Sequence, residues 1–109
     1  MGWEYQLNYL SPKWLSKADL NTLQEHLAKA AHAVVKFELI NETDAGVEYG
    51  LKLTDIAAHD WIWDGKLYLN SHNGQLVFNT GTNAHHDLVK QFLENIFSAH
   101  VAEIKLEEL

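Results

Sequence analysis

Seven histidines, fifteen acidic residues and four serines are the side chains of this 109-residue chain that could bind metal, move protons or attack a substrate. Their spacing argues against most of that chemistry. His85 and His86 are adjacent, so on a helix they point about 100° apart and do not face one ion together. His26 and His32 are also off a common helical face, and His59 and Asp60 would point to opposite sides of a strand. No HExxH pattern occurs, and with no cysteine there is no thiolate framework, disulfide or thiol nucleophile. Ser16 reads as a helix cap and Ser11 as a turn residue. Ser71 and His72 are strand neighbours that face opposite ways, which separates a nucleophile from its base. No GxSxG or phosphate-binding glycine loop is present. No metal and no cofactor are expected.

The most informative stretch is HDWIWDGKLYLNSHNGQLVF, residues 59–78. It places Trp61, Trp63 and Tyr68 close to Asp60, Asp64 and His72. A carboxylate against an aromatic ring can be kept protonated for general acid work, and acids beside aromatics also recur in sugar sites. Asp64 has a plainer explanation, as the first residue of an Asp-Gly turn. Asp55 has one too, as the cap of a short helical turn. The aromatic group Trp61, Trp63 and Tyr68 is the stronger candidate, because such rings combine a large contact area with a hydrogen-bonding handle.

Composition bounds the partners. The formal charge is −7, from 15 acidic residues against 8 basic ones, and every basic residue is lysine. An acidic chain without the bidentate arginine fork is poorly suited to phosphate or to base edges, so nucleic acid is not an expected partner. The first residues, MGWEYQLNYL, show no basic region followed by an apolar one, and no apolar run reaches the roughly 20 residues that span a bilayer. No membrane partner is expected, and a cytoplasmic location follows as the default. A hydrophobic fraction of 47% with 21% charged residues suits a globular chain.

The elements that must position these residues follow from periodicity. Trp3, Tyr5, Leu7 and Tyr9 alternate with polar residues over 3–9, a half-buried strand that Ser11-Pro12 ends. Ser16 with Asp19 signals a helix start, and Leu20, Leu23, Leu27 and Ala30 carry the helix over 17–31. Strands are expected over 33–40 and 47–53. Asp64-Gly65 and Asn73-Gly74 read as two-residue turns, giving antiparallel strands near 59–63, 66–72 and 75–80. In that register Trp63 faces Lys66, Trp61 faces Tyr68, Asn70 faces Val77 and Leu69 faces Phe78. Ile62, Leu67, Leu69, Leu76 and Phe78 then line the core. Trp61, Trp63, Lys66, Tyr68, Asn70, His72, Gln75 and Val77 line the opposite face. Thr82 or Asn83 caps a second helix over 84–98, with Leu88, Phe92, Ile96 and Ala99 on its apolar side, widened by Val89, Leu93 and Phe97. A last strand is expected over 101–109.

This order predicts a single α+β domain over 1–109. It would be a two-layer sandwich, a mainly antiparallel sheet with two amphipathic helices on one face. The function expected is protein binding, with Trp61, Trp63, Tyr68, Asp60, Asp64 and His72 as contact residues. The partner would be a second protein, a basic one by charge complementarity, held as immunity proteins and antitoxins hold the enzymes they inhibit. The alternative is a homodimer built on the Trp61, Trp63 and Tyr68 face. A small enzyme using Asp60 and Asp64 ranks last.

Overall fold

The computed structural model describes residues 3–29, 35–53 and 62–109. Along the chain run β1 (Glu4–Ser11), α1 (Lys17–Lys29), β2 (Val35–Thr43), β3 (Gly46–Leu53), β4 (Gly65–Leu69), β5 (Asn73–Phe78), α2 (Asn83–His100) and β6 (Glu103–Glu108). Among the described residues the strands form one six-stranded sheet in the order β2-β3-β4-β5-β1-β6. Every neighbouring pair is antiparallel. The fold is α+β, as the periodicities predict.

Alternation decides which side of the sheet is dry. Tyr5, Leu7 and Tyr9 of β1, Tyr49, Leu51 and Leu53 of β3, Leu67 and Leu69 of β4, and Leu76 and Phe78 of β5 are all buried in one core. Leu20, Leu23 and Leu27 of α1 and Val89, Leu93 and Phe97 of α2 bury into the same core, so both helices cover that face. Each such side chain contributes roughly 1.5–3 kcal/mol by leaving water. The other face holds the polar half of each alternation.

The helix ends form as their local residues dictate. At α1 the backbone N–H of Asp19 donates to Ser16 Oγ at 3.1 Å, and the Ser16 N–H donates to the Asp19 carboxylate at 2.9 Å. This reciprocal pair satisfies two amides the helix cannot pair internally. Thr82 caps α2 with His85 in the reciprocal place, so His85 is satisfied locally at the helix start. Along α2 the buried line is Val89, Leu93 and Phe97, with Phe92 and Ile96 partly buried. Leu88 and Ala99, expected on the apolar side, are exposed instead. The helix is rotated so that its inner line starts one residue later, which brings Phe92 into a stack on Phe37 of β2. No described helix is long and apolar enough to cross a membrane.

Two sequence expectations change in the hairpin region. Asp64-Gly65 is not a tight turn between paired strands: Ile62 and Trp63 lie outside any strand, and β4 pairs with β3 and β5. Ile62, expected in the core, is 77% exposed. The second turn is also displaced. Asn70 Oδ1 accepts from the backbone N–H groups of His72 and Asn73, at 2.8 and 2.9 Å, so Asn70 nucleates the turn and Asn73-Gly74 enters β5. Val77 therefore pairs with Lys66 and not with Asn70.

Candidate functional site

The polar face of the sheet is built in rows by the strand register. One row runs Asn41, Glu48, Tyr68, Gln75, Gln6, Glu107. The next runs Glu38, Gly50, Lys66, Val77, Glu4. Gly50 is the one position in these rows without a side chain, and the Trp63 ring lies on it. A β-carbon at position 50 would fall 2.5 Å from Trp63 Cε3 and 2.6 Å from Cε2. Glycine at this point leaves a flat seat in the strand that an indole can occupy.

Three further interactions hold the indole there. The Lys52 ammonium stands 5.2 Å from the centre of the Trp63 ring, a cation–π approach. The same ammonium donates a hydrogen bond to the Ile62 carbonyl. Asn79 Nδ2 donates to the Trp63 carbonyl at 3.1 Å. The ring is half-buried. Its surround along and across the strands is Glu48, Lys52, Glu38 and Lys66, with Lys66 Nζ 3.3 Å from Glu48 Oε2. An apolar ring thus sits within a frame of two acids and two lysines.

Tyr68, one row away, is 38% exposed. Desolvation, then its hydrogen bond to Glu48, hold the phenol above its usual range, so it stays protonated across the physiological span. It offers a ring and a hydroxyl already oriented by Glu48. Beside it Asn41, Thr43, Glu48, Tyr68 and Asn70 help line an open concavity of about 280 Å³.

Asp64, expected at the partner-facing surface, is buried instead, at 4% exposure. Its carboxylate accepts the Leu53 N–H at 2.6 Å, and its own N–H donates to Leu51 O at 2.9 Å. Its carbonyl accepts from Asn79 N at 2.8 Å and from Thr80 N at 3.3 Å. Asp64 therefore ties the end of β3 to the start of β4 and to the segment after β5. It fixes the base of Trp63 and presents no charge to the outer face. His72 is exposed in the β4–β5 turn, beyond the strand that carries Tyr68. Asp60 and Trp61 lie outside the described residues. The structure thus brings Trp63 and Tyr68 to one face, with Asp64 buried at the base of Trp63 and His72 at the sheet's end.

Gly50, Lys52 and Glu48 belong to the site and were not read from the sequence. One signal was available: in VEYGLKL the glycine stands where the alternation calls for a polar side chain, between Glu48 and Lys52, and an isolated glycine within a strand marks a close approach.

The histidines do not assemble a ligand set. His26 and His100 stack face to face, 3.5 Å between centroids and 9° between planes. Ligands bind in the plane of an imidazole, so two parallel stacked rings do not converge on one ion. Among the described residues no group of three or more His, Cys, Asp or Glu is placed to hold a metal. His86 is buried between Phe78, stacked at 3.9 Å, and the edge of Trp3 at 5.4 Å. Its Nε2 lies 3.0 Å from the Thr80 carbonyl. Desolvation outweighs that hydrogen bond and lowers its pKa, keeping the ring neutral.

No protein-family model matches the sequence, and no curated protein and no solved structure is significantly similar to it.

Proposed function

We propose that this chain is a protein-binding domain whose contact surface is the polar face of its sheet, with Trp63 as the central anchor and Tyr68 beside it. The observation that carries this reading is the seating of Trp63 on Gly50. The indole is held on a strand, in place before any encounter, so little ordering entropy is lost on contact. A large ring within a charged and polar rim matches the anatomy of binding hot spots, where the rim excludes water from the anchor. Both helices cover the opposite face, so the aromatic side is not needed for the core.

The finer form of the proposal is inhibition of a basic enzyme, in the manner of an immunity protein or antitoxin. It rests on the net charge of −7, which would speed encounter with a positive partner. Glu38 and Glu48 supply negative charge next to Trp63, in the place first expected for Asp64.

The test uses the full chain as bait in extracts of its own host, side by side with Trp63→Ala and Tyr68→Ala. A partner retained by the native chain should bind each variant more weakly by about 2 kcal/mol or more, the usual hot-spot threshold, with unchanged far-ultraviolet circular dichroism. Equal retention by all three chains overturns the proposal.

A further inference from the structure

Strand β2 ends the sheet, and among the described residues no strand pairs with its outer side. An edge strand presents unpaired N–H and C=O groups and is a template for another strand. Its first five residues read Val35-Lys36-Phe37-Glu38-Leu39. We propose that two copies of this chain associate through antiparallel pairing of β2 with β2 of the partner copy, centred on Phe37, so that the two sheets become continuous.

The charge pattern selects this register. Centred on Phe37, a two-fold pairing sets Lys36 opposite the second copy's Glu38, and Glu38 opposite its Lys36. It also sets Val35 opposite Leu39 in both directions. Opposite charges directly across a ladder attract and like charges repel. Moving the centre to Glu38 would face glutamate with glutamate, and moving it to Lys36 would face lysine with lysine. A shift to any half-integral centre would place the polar face of one strand beside the buried face of the other. Charged residues on an edge commonly block pairing. Here they are opposite in sign and two residues apart, so a two-fold partner turns them into two cross-strand ion pairs.

The geometry agrees with the pattern. Lys36 and Glu38 are both exposed, and Leu39 is 36% exposed. The β2–β3 register shifts between Leu39 and Asn41. A bulge there bends the strand, so the regular stretch ends where the self-complementary one does. Along the same edge lies a concavity of about 340 Å³, lined by Leu27, Ala28 and Lys29 of α1, by Lys36, Phe37 and Glu38 of β2, and by Lys52 of β3. A second copy of β2 and α1 would close it.

The other edge is less suited. β6 repeats the spacing at Lys105 and Glu107, but it carries Glu103, Glu107 and Glu108 against Lys105, so two copies of it meet with an excess of negative charge. Its lysine is also already 3.4 Å from Glu107 of the same strand. A β2–β2 contact uses one patch twice and closes as a dimer, whereas β2 on β6 would propagate as a filament.

Sedimentation equilibrium of the full chain tests this. The expected result is a concentration-dependent rise in mass from the 12.4 kDa monomer to twice that value. Lys36→Glu and Glu38→Lys, each replacing an exposed side chain, should each weaken the dimer at least about tenfold by creating like-charge pairs. The double exchange K36E/E38K should restore it, and Trp63→Ala should leave it unchanged. The proposal is overturned by a chain that stays monomeric at millimolar concentration. It is equally overturned by single reversals without effect, by a double exchange that fails to restore association, or by a dimer lost with Trp63→Ala. Glu38 also borders Trp63, so Lys36→Glu is the reversal that reads the β2 edge alone, and set against Trp63→Ala it keeps this result and the partner-binding result separable.

Discussion

The six-membered ring of Trp63 covers the α-carbon of Gly50 so closely that position 50 has no room for a β-carbon. Gly50→Ala should therefore expel the indole without touching the core, since position 50 belongs to the outer row. Tryptophan emission should move to the red, and acrylamide should quench it more strongly. The stability cost is expected at about 1–3 kcal/mol, the range for forcing an extra carbon into a packed contact. Partner binding should fall as it does in Trp63→Ala. Emission identical to that of the native chain would show that the ring is not seated there.

Asp64 should matter for stability and not for surface charge. Asp64→Ala removes the acceptor of the buried Leu53 N–H. Leaving a buried donor unpaired, together with loss of a charge-assisted bond, costs on the order of 2–3 kcal/mol. Asp64→Asn keeps an oxygen acceptor and should cost less. Urea midpoints for the two variants, at equal slope, give the comparison.

His86 predicts a pH dependence with a definite sign. Its folded pKa lies below its unfolded value, chiefly through desolvation, with His85 and Lys90 also lowering it and Thr80 O and Asp87 opposing. The unfolded chain therefore takes up a proton more readily than the folded one. Stability from this group is full above about pH 6.5, the unfolded value, and is lost as the pH falls from there toward the folded pKa. The slope from one group is at most about 1.4 kcal/mol per pH unit. His86→Phe, which keeps a ring against Phe78, should flatten the urea-midpoint profile between pH 5 and pH 7. A profile as steep as the native one would assign the effect to other groups.

The two helix caps should act independently. Ser16→Ala and Thr82→Ala each remove an acceptor for a first-turn amide, and each should cost about 1 kcal/mol. The double variant should cost the sum, because the caps share no partner. Thermal melts of the three variants check both statements.

The parts legible from the sequence were those set by near neighbours along the chain. Ser16 with Asp19 and Thr82 at α2 announce their helices because a cap is made within three residues. The face carrying Tyr68, Lys66, Gln75 and Val77 was also legible, though the register was not. Val77 moved from Asn70 to Lys66, an even displacement, and a strand's faces repeat every two residues. The tertiary structure alone decided the fate of Asp64-Gly65. Locally it is a turn pair; in the fold, the N–H of Leu53 and the carbonyl of Leu51 on β3 capture Asp64 and draw Gly65 into a strand beside Leu51. The same long-range pairing leaves Ile62 at the surface and lays Trp63 over Gly50. Residues 50 and 63 meet only because β3 and β4 pair. That contact depends on the register of the whole sheet, which no local pattern encodes.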